Sequence, residues 1–507
     1  MNSDQIPRRD FLKAWGAGAI ALASPAMGHS LLAAQAGKQE TDSRPVGRRE
    51  TTVAEDMGTW IAALRYEDLP PAVVQKAKRV LLDTVGCALG AVGAEPVRFA
   101  QQAVFQQGGH PRSTLIGLGR KVSCDQAAFL NGMALRYLDF NDYTPSGGHP
   151  SINVAPALAV AEMRNLTGRD LLLGVAIGHE VHVRLQYATE GGSLGRGWDL
   201  GTITTNYASA AVAAKLLGLD ASKIAHAMAI AGAHGNTLAE VRRGAMLSGG
   251  EMTPSKGTAD PMSARNGTFA AFLAQEGMTY PLTILEGVYG FGKKVTGELQ
   301  EDILRKRTGD FQIMKSGTKM WPCFFHGQAP IAAAIEVHGK GVNSEVIESI
   351  TVLLNEEAHE NQQAYKADEI KTREQADHSI PYVVARALLD GAVSVEDFEE
   401  SRFRDPRAIT LVKKTTLRLE PALTPPNGEA EGAYVEVRLR SGAAHRSEVP
   451  HPPGSIRNPA SDAMLIEKFM SLAEKPLGRR RAESAAEALR SVDQLSELGP
   501  LLQVLTS

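Results

Sequence analysis

Cysteine is scarce: three residues in 507, Cys87, Cys124 and Cys323, lie far apart and never form a C-x-x-C pair. That leaves a disulfide framework and a local zinc or iron–sulfur cluster without support. Neither sign of charge is in excess. The 54 basic and 57 acidic residues give a net charge of −3, with no long basic run, so nothing points to a nucleic-acid partner. The G-x-x-x-x-G-K-[ST] and H-E-x-x-H patterns of P-loop and zincin enzymes are missing. After residue 36 no apolar stretch reaches the roughly 20 residues that a bilayer-spanning helix needs. With 43% hydrophobic and 22% charged residues, the chain is not disordered, collagen-like or a coiled coil. What is left is a globular chain with room for about two to four domains, whose chemistry is expected to need no metal.

The first 36 residues read as an address. Arg8-Arg9 is followed by Asp10-Phe11-Leu12-Lys13, an apolar stretch from Ala14 to Met27, and a small-residue site at Ala34-Gln35-Ala36. Charged, apolar and cleavage regions in that order describe a bacterial export signal, and the arginine pair describes the twin-arginine type. A soluble, periplasmic mature chain with no stable membrane insertion is expected, joined to the signal by a polar linker over residues 37–53.

From about residue 54 to 310 the pattern is helical. Val74, Ala77, Leu81, Leu82 and Val85 fall on one helical face after Pro70-Pro71. Ala208–Leu217 is so rich in alanine that neighbouring helices can approach closely, and Gly218 closes it. Asp220 caps a helix over Ala221–Ala231, and Asp260-Pro261 opens another that runs to Gln275. Beyond about Phe311 the period changes. Ser349–Leu354, Lys414–Leu419 and Ala433–Arg440 read as strands, and Ser441-Gly442 as a hairpin turn into Ala443–Val449. A helix over Gln328–Val337 precedes these strands, and one over Ile380–Leu389 lies between the first two. The predicted fold is mainly α: a large helical-bundle domain over 54–310, an inserted smaller α/β lid domain over 311–450, and C-terminal helices over 451–507 that return to the bundle.

Four polar stretches exceed what local structure requires. The first runs from Asp139 through Asn141, Asp142 and Tyr143 to His149, two carboxylates and a histidine around a Gly-rich bend. Its carboxylates could simply cap helices, but loops between rigid elements are where sites are built, and His149 beside acids suits proton transfer. The second is Arg196-Gly197-Trp198-Asp199 with Thr202, Thr204, Thr205 and Asn206, a hydroxyl-rich helix start able to hold a carboxylate. The third places Lys256 before Asp260 and Arg265, and the fourth sets Lys319 and His326 around an apolar strip that includes Cys323. Lysine, arginine and histidine for binding carboxylates, with acids and imidazoles for moving protons, fit abstraction of a proton α to a carboxylate. Such a proton is weakly acidic because its loss puts a second negative charge beside the first, so the site must supply cations.

These stretches in this order resemble the MmgE/PrpD family, whose members include 2-methylcitrate dehydratase and cis-aconitate decarboxylase. The resemblance spans about Ala54 to Leu477. It rests on Asn131-Gly132 through Asp142, His149-Pro150-Ser151, Ala211–Asp220, Lys256 with Ala264-Arg265-Asn266-Gly267, Trp321-Pro322-Cys323 with His326, Asp377-His378-Ser379-Ile380-Pro381-Tyr382, and Asn458-Pro459. It implies a homodimer, an active site in the cleft between helical domain and lid, a small polycarboxylate as substrate, and no cofactor. It also implies catalytic roles for Asp139, Asp142, His149, Lys256, Lys319 and His326, with Tyr143, Asp199 and Arg265 binding substrate. Lys256 and Lys319 would hold carboxylates, His149 and Asp139 would handle protons, and His326 would complete the site from the lid. Asp199 after Trp198, and Ala259 in the Lys256 loop, stand where decarboxylase-like members often carry histidines. That departure favours the dehydratase branch, a hydro-lyase. Epimerisation, decarboxylation and non-catalytic carboxylate binding remain the alternatives.

Overall fold

The computed structural model describes residues 51–189, 196–242, 246–247, 250–307, 310–364, 370–424 and 432–506. The expected export signal and nearly all of the linker lie outside them. The fold is mainly helical, and its helices start where local capping chemistry starts them. Thr52 and Glu55 form a reciprocal capping box for α1 (Val53–Ala63). Pro71 opens α2 (Pro71–Ala91), where its missing N–H costs nothing. After α3 (Cys124–Tyr137), Thr167 and Asp170 repeat the capping box for α4 (Gly168–Tyr187). Asp199 caps α5 (Leu200–Leu216), and Asp220 caps α6 (Ala221–His234) through the backbone N–H of Lys223.

Two helices begin earlier than their sequence signals imply. The alanine-rich helix starts at Leu200 rather than Ala208, because the Asp199 carboxylate accepts from Thr202 N at 2.9 Å. The helix expected to open at Asp260-Pro261 is α7 (Ser255–Gln275), with Pro261 inside its second turn. Asp260 does not cap it; two arginines engage its carboxylate. An added Cβ on Gly132 of α3 would lie 3.3 Å from the Pro261 ring, which shows how closely that ring packs on α3. Helices α5 and α7 also pack backbone to backbone. A Cβ added at Gly267 would stand 2.4 Å from the Asn206 carbonyl oxygen, so only glycine fits there.

The apolar residues form two separate cores. One takes its members from Val53 to Ile313 and again from Ala460 to Leu505. The other lies between them, from Cys323 to Val449. This second core is built on a four-stranded sheet of β1 (Ile347–Leu354), β2 (Thr415–Leu419), β3 (Ala433–Leu439) and β4 (Ala444–Val449), in the order β2-β1-β3-β4. β1 pairs parallel to β2 and antiparallel to β3, with Val352 opposite Val435, and β3–β4 is an antiparallel hairpin. Val435 and Val437 point into the core while Glu436 and Arg438 face outward, the alternation of a half-solvated sheet. Helices α8 (Gln328–Gly339) and α9 (Ile380–Asp390) cover the buried side. All three cysteines are free and buried. Among the described residues no single helix is long and apolar enough to cross a membrane.

One buried cation ties the distant chain segments together. Helix α10 (Asp462–Leu477) packs on α2 and carries Lys468. The Lys468 ammonium donates to the carbonyl oxygens of Phe140 at 2.6 Å and Lys319 at 2.8 Å, and pairs with Asp83 of α2 at 2.5 Å. The loops that hold Asp139 and Lys319 are thus fixed from behind by a residue more than 140 positions away. Removing one partner of a buried pair leaves an uncompensated charge. Lys468→Met is therefore expected to lower the unfolding free energy by about 3 kcal/mol, and Asp83→Asn in the same chain to restore part of it. Urea unfolding of the single and double variants checks this, and a loss well below about 1 kcal/mol would contradict it.

Candidate active site

Helix α3 ends at Tyr137, and two residues later the backbone of Asp139 enters the left-handed region at φ 50°. Aspartate tolerates that conformation better than most residues, yet it is a strained position that the surroundings must hold. They do so with three cations. Lys256 of α7 reaches Oδ2 at 2.6 Å, Lys319 reaches Oδ1 at 2.7 Å, and Arg136, one turn earlier on α3, reaches Oδ1 at 2.6 Å. Lys319 also donates to the Asp139 carbonyl oxygen at 2.9 Å. All four side chains are buried. Burial alone would raise the Asp139 carboxyl, but Lys256, Lys319 and Arg136 outweigh it and hold the group well below the usual carboxylate range. Burial lowers the Lys256 ammonium to about 8, with Asp139 and Asp377 pulling the other way.

The loop after Asp139 aims an imidazole at the same carboxylate. His149 Nδ1 lies 2.6 Å from the Asp142 carbonyl oxygen, and its Nε2 lies 3.6 Å from Asp139 Oδ1. A carbonyl only accepts, so Nδ1 carries the hydrogen and the neutral ring turns its Nε2 lone pair toward the cluster. Burial, then Arg136 and Lys319, push the ring well below its ordinary value, which keeps it neutral. Gly148, at φ 80°, makes this bend possible: a Cβ there would meet Gln186 Nε2 at 2.4 Å and His182 Nε2 at 2.7 Å. The Asp142 carboxylate points elsewhere. It accepts from the Ser151 N–H at 3.2 Å and faces His179 Nε2 at 3.0 Å.

A chain of ion pairs continues from Arg136. Its Nε donates to Asp260 Oδ2 at 2.8 Å; Asp260 also receives Arg242 at 2.8 Å, and Arg242 pairs with Asp199 at 3.0 Å. Arg136 Nη2 is buried with no hydrogen-bond partner among the described residues. A buried guanidinium N–H in that state favours an incoming acceptor.

The second core supplies the remaining wall. His378 Nε2 lies 3.9 Å from Asp139 Oδ2, while its Nδ1 makes a short hydrogen bond with Asp377 Oδ1. Arg373 binds the other Asp377 oxygen at 3.1 Å and donates to the Tyr137 carbonyl at 3.3 Å, joining the end of α3 to this segment. His378 stacks on Phe324, and Tyr143 packs on Phe325 with ring centroids 4.4 Å apart. Asp139, Asp377 and His378 bring three ligand-type atoms within 4.8 Å of one another. A divalent ion there would face Lys256, Lys319 and Arg136 at hydrogen-bond distance from one of its own ligands, so the donor set suits an ion-pair cluster rather than a metal.

Five residues singled out from the sequence therefore meet or flank one point: Asp139, His149, Lys256 and Lys319 directly, and Asp199 through Arg242 and Asp260. Tyr143 packs beside them, paired in register with Gly317 just before Lys319. Three stand differently. The Asp142 carboxylate serves His179 and the loop backbone, and only its carbonyl touches the site. Arg265 is turned away and pairs at 3.1 Å with Asp125, because its place on α7 puts it on the half-exposed side. His326 packs between Phe324 and Phe325, with Glu357 at 3.7 Å, and His378 is the imidazole that the second core brings to Asp139. Arg136, Asp260, Asp377 and His378 were not among the site residues expected from sequence. Arg136 offered one signal, a charge inside the otherwise apolar run from Met133 to Leu138.

Two family models match the chain. The MmgE/PrpD N-terminal domain matches residues 55–303 and the MmgE/PrpD C-terminal domain residues 321–494. Cis-aconitate decarboxylase of Mus musculus is 27% identical over 470 residues, covering 90% of this chain and 93% of that protein. The 2-methylcitrate dehydratase of Salmonella typhimurium is 27% identical over 462 residues, covering 85% and 91%. That of Cupriavidus necator is 28% identical over 430 residues, covering 80% and 87%.

The buried imidazoles carry a stability signature. Burial lowers His149 and His378 and takes His182 to about 4, against about 6.5 in an unfolded chain. Below pH 6.5 the unfolded state takes up protons that the folded state refuses, so stability falls as pH falls, by up to about 1.4 kcal/mol per pH unit per histidine. The urea midpoint is expected to be lower at pH 5.5 than at pH 7.5; an equal or higher midpoint at pH 5.5 would contradict this.

Proposed function

Because the chain belongs to the MmgE/PrpD family, we propose that it is a lyase that removes water from a hydroxy-polycarboxylate, as a 2-methylcitrate dehydratase does. The observation that carries this reading is the meeting of two ammonium groups, a guanidinium and a neutral imidazole lone pair around the single carboxylate of Asp139. An ammonium has three N–H donors, and among the described residues Lys256 has Asp139 as its one bonded partner. It has donors left for a substrate carboxylate, as has the orphaned Arg136 Nη2. A carboxylate placed there has its charge offset before the reaction begins, which lowers the cost of forming a carbanion beside it. His149 Nε2 then takes the α-proton. Its low basicity at rest is relieved as the polyanion enters.

Decarboxylation is the second reading, favoured by one observation: the decarboxylase relatives match as much of the chain as the dehydratases do. The same cations would serve the carbanion left when carbon dioxide departs. The proposal extends to a homodimer and to a periplasmic location, where the substrate would be a polycarboxylate met outside the cytosol.

Purified mature protein incubated in heavy water with 2-methylcitrate, citrate and cis-aconitate, and followed by NMR, separates these readings. Dehydration yields an alkene with all its carboxylates, decarboxylation an alkene with one fewer, and epimerisation only deuterium exchange. The expected result is an alkene from a hydroxy acid. No turnover and no exchange of any probe would contradict the enzyme reading. His149→Gln is expected to lower the rate by roughly 10²–10⁴, and a loss under about threefold would remove His149 as the base.

A further inference from the structure

We propose that Asp377 and His378 are the proton-donating half of this site: His378 Nε2 protonates the departing hydroxyl while His149 Nε2 removes the α-proton. The proposal rests on the hydro-lyase reading above. Its basis is the difference between two otherwise similar imidazoles. Each turns an Nε2 edge toward Asp139, His149 to Oδ1 at 3.6 Å and His378 to Oδ2 at 3.9 Å. They come from different cores and reach different oxygens of one carboxylate. Each has Nδ1 committed to an acceptor, but the acceptors are unlike. His149 meets a neutral carbonyl, that of Asp142. His378 meets a carboxylate, that of Asp377, itself fixed by Arg373, with the Glu374 carbonyl oxygen a longer second acceptor at 3.1 Å. A carboxylate behind an imidazole stabilises the imidazolium, whereas a carbonyl does so far less. The ring backed by Asp377 is the one built to carry a proton, and the ring backed by a carbonyl is the one built to accept it.

The electrostatic surroundings agree with this assignment. The charged groups facing His378 are Asp377 on its own segment, Lys256 on α7 and Asp139 at the end of α3. Burial and Lys256 lower His378, and both acids oppose them; burial, Arg136 and Lys319 hold His149 well below its ordinary value. A bound polyanion adds to the pull of Asp377. In the reaction, the electron pair of the C–H bond becomes the new C=C bond as the C–O bond breaks. The carbon-bound proton passes to His149, and the His378 proton joins the hydroxide to leave as water. His149 then loses a proton to solvent and His378 regains one.

An analogue with fluoride in place of the departing hydroxyl separates the two roles, because fluoride leaves without a proton. The parent probe is 2-methylcitrate, or citrate if that is the acid the wild type dehydrates. His378→Gln is expected to lose at least about 10²-fold on the hydroxy acid and at least tenfold less on the fluoro analogue. His149→Gln is expected to lose comparable activity on both. Asp377→Asn preserves an acceptor for Nδ1 but not the charge, so it should shift the alkaline limb of the kcat profile to lower pH. Equal losses by His378→Gln on both compounds, or a loss under about threefold on the hydroxy acid, would overturn the proposal. Imidazole nitrogen NMR of the wild-type protein, assigned through the His378→Gln spectrum, reads the pair without turnover. It should show His378 protonated at Nδ1 and taking its second proton at higher pH than His149; the reverse order would overturn the proposal. Absence of turnover with every probe, by contrast, would count against the hydro-lyase reading while the NMR result still decides the pair.

Discussion

Everything at this site depends on one carboxylate being held ionised where water does not reach it. Asp139 sits in a left-handed turn at the end of α3, buried, with Lys256, Lys319 and Arg136 each within 2.7 Å. Burial of a lone carboxylate costs several kcal/mol, and these cations offset it only if the segments that carry them are brought together. Arg136 comes from the same helix, Lys256 from α7, and Lys319 from the segment leading into the second core. The ion cluster is thus both the chemistry and the reason that these segments sit where they do. Lys468 and Asp83 complete the arrangement from behind by holding the carbonyls of Phe140 and Lys319.

The two cores contribute unequal halves. The helical core provides the anion, two of its cations and a neutral imidazole; the α/β core provides a carboxylate-backed imidazole and an aromatic wall. Arg373 bridges them, bound at once to Asp377 and to the last turn of α3. The further chain from Arg136 through Asp260 and Arg242 to Asp199 spreads charge away from the reacting point while keeping each member paired. In a low-dielectric pocket, preorganised charges of this kind act without having to reorganise when charge develops on a substrate.

Much of this was legible in the sequence, and the exceptions have physical causes. Strand alternation in Ala433–Leu439 and the capping signals at Pro71 and Asp220 are local, and the elements formed there. Pro261 read as a helix start because proline favours the first turn; instead α7 begins one and a half turns earlier, and Asp260 serves two arginines rather than a cap. Asp139, His149, Lys256 and Lys319 stood out as polar residues that local structure did not need. His378 did not, because its partner Asp139 lies more than 230 positions away, and only the docking of one core on the other makes the pair visible. Arg265 misled for the opposite reason: it shares α7 with Lys256, but the helical turn places it on the half-exposed side, against Asp125.

On this reading, the cations now paired with Asp139 are the ones that receive a polycarboxylate. The most direct measurement is calorimetric binding of tricarballylate, a tricarboxylate with no hydroxyl to lose, to wild-type protein and to Lys256→Met. Saturable binding by the wild type is expected, weakened by at least about tenfold in the variant, equal to about 1.4 kcal/mol. Equal affinity in the two proteins would place the anion site elsewhere and contradict it.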